Sequence, residues 1–77
     1  MPTELLTIGS SHTLVQNRTY SLPAWGCIGF AQGSGVEMSN DDSTWQAVTL
    51  GTNKEFEANG IFIRSTAVGT LLTLKLR

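Results

Sequence analysis

The sequence predicts an all-β fold, a compact antiparallel β-sandwich or jelly-roll-like barrel of about seven or eight short strands, in one domain over residues 1–77. Three observations carry that prediction. No window of useful length spaces its apolar residues at helical intervals. Short β-prone runs recur instead, each bounded by Gly, Pro, Asn, Asp or Ser. No linker, internal repeat or low-complexity segment divides the chain.

Taken in order, Glu4 to Ile8 is a short run ended by Gly9-Ser10-Ser11. Thr13 to Val15 follows, and Asn17-Arg18 separates it from Tyr20 to Leu22, where Pro23 stops pairing because it has no N–H to donate. Trp25 to Phe30 is apolar but carries Gly26 and Gly29, which mark a bend, a bulge or a close backbone approach. Gly33-Ser34-Gly35 reads as a flexible turn. Val36 and Met38 then alternate with Glu37 and Ser39, a half-buried strand with Val36 and Met38 inward. Asn40-Asp41-Asp42-Ser43 is a turn, since Asx side chains bond their own backbone and tolerate left-handed geometry. Trp45 to Leu50 returns as the partner strand of a hairpin. Gly51 to Asn53 turns again, Phe56 sits in a short acidic run, and Asn59-Gly60 leads into Ile61 to Thr66. Ala67-Val68-Gly69 closes a last hairpin onto Thr70 to Leu76, with Leu72, Leu74 and Leu76 on one face and Thr73, Lys75 and Arg77 on the other. This final strand is expected in the middle of the fold or at a subunit contact.

A chain of 77 residues buries only about 60–65% of the surface its unfolded form exposes, so its core is marginal. Small domains add crosslinks, a metal or neighbouring chains. Cys27 is the only cysteine and His12 the only histidine, which excludes an internal disulfide and a Cys/His zinc site. Association remains, by elimination. Charged residues are 14% of the chain, against about 25% in ordinary soluble proteins, and the polar surface is built from Thr, Ser, Asn and Gln. Such a surface is cheap to desolvate, although β-rich proteins also use Thr for its propensity. With net charge −1 and no Lys/Arg cluster, nucleic acid is not an expected partner. No apolar stretch approaches the roughly 18 residues that span a bilayer, so no membrane is expected either. The first residues lack the basic and apolar segments of a secretory signal, and synthesis in a reducing cytoplasm is expected.

No catalytic residue, cofactor or metal ligand is assigned, and the expectation is a non-enzyme. His12 lies in a polar turn and reads as a surface histidine rather than the base of a dyad with a Ser or Cys27. Cys27, in an apolar strand, reads as a buried inert thiol. Glu37, Asp41, Asp42, Glu55 and Glu57 fall on turns and short strands, with nothing to raise one carboxyl for glycoside chemistry. The Asn40–Ser43 turn lacks the glycine and distal glutamate of a calcium loop. Trp25 and Trp45 are the residues a carbohydrate-binding module would expose, and the competing reading places them in the core, on a sheet face or at a subunit contact.

Val36-Glu37-Met38-Ser39-Asn40-Asp41-Asp42-Ser43-Thr44-Trp45 resembles a V-E-x-S-N-D-x-x-x-W hairpin of discoidin-like β-sandwiches. A similar hairpin occurs in small virion structural proteins of tailed bacteriophages, followed by segments like Phe62-Ile63-Arg64-Ser65-Thr66 and Leu72-Thr73-Leu74-Lys75. The resemblance spans residues 36–77, and the ligand-binding spikes of discoidin domains have no counterpart. It implies a capsid decoration (cement) protein on the virion surface, a homotrimer bound to the major capsid protein. Leu5, Leu6, Ile8, Trp25 and Phe30 are the expected contact residues, with Arg64 pairing to an acid within the sheet or across a subunit boundary. The alternative is a small carbohydrate-binding sandwich module of a phage fibre or other accessory protein.

Overall fold

A computed structural model describes residues 3–23 and 26–76 as two packed β-sheets. The larger sheet contains β1 (Glu4–Leu5), β3 (Tyr20–Ser21), β5 (Val36–Ser39), β6 (Gln46–Ala47) and β8 (Phe62–Ser65), in the order β1-β3-β8-β5-β6. The smaller contains β2 (Ser11–Thr13), β4 (Cys27–Gln32), β7 (Glu55–Ala58) and β9 (Leu71–Lys75), in the order β2-β9-β4-β7. All pairs are antiparallel except β1 with β3. The additional strand is β7: the acidic run alternates, with Phe56 and Ala58 buried and Glu55 and Glu57 exposed.

Only β5 and β6 form a hairpin within one sheet; every other connection crosses to the opposite sheet. The turn over Ala67–Gly69 therefore closes no hairpin, because β8 pairs with β3 and β5 while β9 pairs with β2 and β4. Alternation tells which side chains point inward and is blind to which sheet they point inward from. The final strand does lie in the middle of its sheet. It ends at Lys75, so Leu76 does not join Leu72 and Leu74 inside but is 70% exposed.

Between the sheets lie Leu6, Leu14, Tyr20, Cys27, Val36, Phe56, Ile63, Leu72 and Leu74, all buried, with Ile8, Met38, Val48 and Leu50 packed at their margin. Tyr20 keeps its hydroxyl satisfied by accepting the Val15 N–H at 2.9 Å. The expected strand to Leu50 ends early: β6 stops at Ala47, Val48 N–H still donates to the Val36 carbonyl at 2.9 Å, and Val48 and Leu50 pack against the core. The accessible surface, 4551 Å², is close to the roughly 4,600 Å² that scaling with mass gives a folded monomer of this size. Leu5, Val15, Ile61, Val68 and Leu76 are the large apolar side chains left exposed among the described residues.

Two turns meet at one end of the sandwich. Ser65 and Thr70 are fully buried, their hydroxyls 2.7 Å apart, and both reach the Ser34 carbonyl, at 3.0 and 3.2 Å. Gly33-Ser34-Gly35 is thus a pinned crossover rather than a loose turn. Gly33 and Gly35 have positive φ, and a Cβ on either would strike Thr70 or Thr66.

Gly29 is the close backbone approach anticipated in β4: a Cβ there would run into the Phe56 ring, which lies across it from β7. Gly29→Val is expected to cost about 1–3 kcal/mol by overpacking, read as a lower urea midpoint at unchanged slope.

Candidate functional site

In a sandwich whose inner faces make the core, function has to be sought on the outer faces and at the ends. On the larger sheet, register places Ala47, Glu37 and Arg64 side by side across β6, β5 and β8, and Ser39, Phe62, Ser21 and Leu5 in the next row. Arg64 Nε donates to Glu37 Oε1 at 2.9 Å, and its guanidinium lies 4.2 Å from the centroid of the Trp45 ring. Both charged side chains are about a quarter to a third exposed, so the pair stabilises the monomer by no more than ~1 kcal/mol. Trp45 accordingly sits on the sheet face. One side of its ring faces the guanidinium, and the residue is half-buried.

The outer face of the smaller sheet carries Ile28, Phe30 and Leu71, all half-buried, between Ser11 and Thr13 on one side and Glu55 and Glu57 on the other. Lys75 Nζ lies 5.1 Å from the Phe30 ring centroid. Each face thus carries an aromatic ring beside a cation.

The expected contact residues divide among these surfaces. Leu5 (61% exposed) and Arg64 belong to the outer face of the larger sheet, and Phe30 to that of the smaller, so the two sets stand on opposite sides of the molecule. Leu6 is completely buried and Ile8 packs against the core. The run Leu5-Leu6-Ile8 is therefore not a contact segment as a whole: Leu6 and Ile8 are engaged inside and only Leu5 remains outside. Arg64 takes its acidic partner within the sheet. Trp25 lies outside the described residues. The sequence pattern missed Trp45 as Arg64's partner and the outward placing of Ile28 and Leu71, which pair with Lys75 and Gln32; the pairing register, which alternation does not encode, sets both.

His12 is half-buried and its Nε2 lies 3.2 Å from Thr7 Oγ1. Cys27 is buried, and burial pushes its thiol up, away from the thiolate. No cluster of three or more potential metal ligands occurs among the described residues. The β5–β6 turn is well organised. Asp41 Oδ1 accepts the N–H groups of Ser43 and Thr44 at 2.8 Å and the Ser39 hydroxyl at 2.9 Å, while Asp42 adopts a φ of 61°. The backbone N–H groups of Thr44 and Ser43, with the Ser39 hydroxyl, hold the exposed Asp41 carboxyl down at about 2. Comparison of the chain with protein-family models, with curated proteins and with solved structures finds no match.

Two predictions follow from this geometry. A double-mutant cycle of Trp45→Ala and Arg64→Ala in urea unfolding is expected to give a coupling of about 0.5–1 kcal/mol, the range of an exposed cation–π pair. Because the folded carboxyl of Asp41 is depressed, the stability it contributes is present above its ordinary 3.8 and is lost as pH falls through about 2. The melting temperature of Asp41→Asn should therefore fall less over that interval than that of the parent chain, as followed by circular dichroism.

Proposed function

We propose that this chain is a non-enzymatic structural protein of a tailed-phage virion, a capsid decoration protein that binds the major capsid protein and, as a homo-oligomer, links neighbouring subunits of the head shell. The observation that carries the reading is the placement of two aromatic–cation clusters, Trp45 with Arg64 and Phe30 with Lys75, on opposite outer faces. Trp and Arg are the residue types that dominate contact energies, and charged residues are otherwise sparse at such surfaces. Two separated adhesive faces suit a bridge. One face would hold the shell and the other a second shell subunit or another copy of this chain. A bridge gains avidity from simultaneous contacts and stabilises what it binds by mass action. The hairpin resemblance and the composition, 14% charged, point the same way.

The test is co-sedimentation with empty heads assembled from the major capsid protein of the genome that encodes the chain. The parent protein is expected to pellet with the heads and raise their melting temperature. Phe30→Asp and Arg64→Glu should each weaken that binding by about tenfold or more, as loss of a contact hot spot does. A monomer that stays in the supernatant, or a genome with no capsid gene, overturns the reading.

A further inference from the structure

Beneath the β5–β6 turn, at the end of the larger sheet, the molecule has a half-open cleft of ≈ 350 Å³. It faces the opposite way from Trp45: Met38 and Gln46 pair across β5 and β6 on the inner side of the sheet, and Asn59-Gly60, the crossover from β7, closes the far wall. A volume at the small end of the ~300–1,000 Å³ typical of ligand sites admits a molecule of one or two sugar rings.

The lining is selective. The carboxamides of Asn40 and Gln46 bond to no described residue, while the Asn59 amide donates to Glu57 Oε2 at 3.0 Å. Asp41, the one ionised side chain on the wall, is held in place by its three turn bonds. Carboxamides both donate and accept, and a carboxylate accepts, which is the complement of hydroxyl groups that do both. Among the described residues no Lys, Arg or His lines the cleft, so an anion would meet Asp41 and be repelled. The Met38 side chain supplies apolar surface for C–H groups. The walls are preorganised: Ile61 N–H donates to the Ser39 carbonyl at 3.1 Å, tying the crossover to β5.

We propose that this cleft binds a neutral, hydroxyl-rich ligand, the terminal one or two sugars of an uncharged glycan. The site is independent of the assembly role and faces away from Trp45, one of the two positions at which the sequence places a carbohydrate contact. With no aromatic platform among its described lining residues, it binds in the millimolar range.

The experiment is a ¹H–¹⁵N titration of the intact chain with lactose, maltose and cellobiose, and with glucose 6-phosphate as the anionic counterpart. Saturable shifts are expected at the side-chain amides of Asn40, Gln46 and Asn59 and at the backbone of Ala47 and Gly60, with at least one neutral disaccharide. Gln46→Ala and Asn59→Ala, both exposed positions, should each weaken that binding about fivefold, as loss of one neutral hydrogen bond predicts, while the remaining spectrum shows the fold intact. No shifts with any neutral sugar, shifts centred outside the cleft, or tighter binding of the phosphate would overturn the proposal.

Discussion

The buried contact between Ser65, Thr70 and the Ser34 carbonyl is the constraint on which this sandwich turns. Two crossovers, one from β4 to β5 and one from β8 to β9, arrive at the same end of the molecule and have to pass each other with no room for side chains on Gly33 or Gly35. Their polar groups are out of water, and a buried hydroxyl left unpaired costs about 1–3 kcal/mol. The hydroxyls therefore satisfy one another and a carbonyl from the neighbouring turn. That arrangement locks β5 beside β8 in one sheet and β4 beside β9 in the other, and the register of both central pairs follows.

With the centre fixed in this way, strand alternation does the rest. Ile63 and Ser65 point inward, and Phe62 and Arg64 point out. On β4, Cys27, Gly29 and Ala31 line the core while Ile28 and Phe30 face away. Small residues inside β4 are matched by a large one on its partner, the Phe56 ring lying across Gly29. Among the outward residues, Trp45 beside the edge strand β6 meets Arg64 of β8, and Phe30 of β4 meets Lys75 of the adjacent β9. In both pairs it is the charged group itself that lies near the ring, the geometry of a cation–π contact.

The β5–β6 hairpin shows how one short element serves two surfaces. Its odd-numbered residues Glu37, Trp45 and Ala47 belong to the outer face, whereas Met38 and Gln46 turn to the inner side, where the cleft lies. A slip of one residue in this pairing would exchange the two sets. The Asp41 turn, with its carboxylate bonded to two backbone N–H groups and the Ser39 hydroxyl, is what prevents the slip.

The sequence by itself determined the fold class, the run of short strands, the Asn40–Ser43 turn, the burial of Cys27 and the inward facing of Leu72 and Leu74, though not the exposure of Leu76, because these rest on local chemistry: alternation, turn residues and the absence of helical spacing. Tertiary structure alone decided which strands pair. Local pattern reads the last two strands as a hairpin, yet they lie in opposite sheets, since each finds a longer complementary partner elsewhere. It also decided the fate of individual apolar residues. Leu5 and Leu6 are neighbours of the same type, but the parallel pairing of β1 with β3 turns Leu6 into the core and leaves Leu5 in water. The meeting of Trp45 with Arg64, and of Asn40 with Asn59 across the cleft, likewise comes from contacts between segments far apart in the chain. Such contacts exist only once the register is set, and no periodicity in a single strand encodes them.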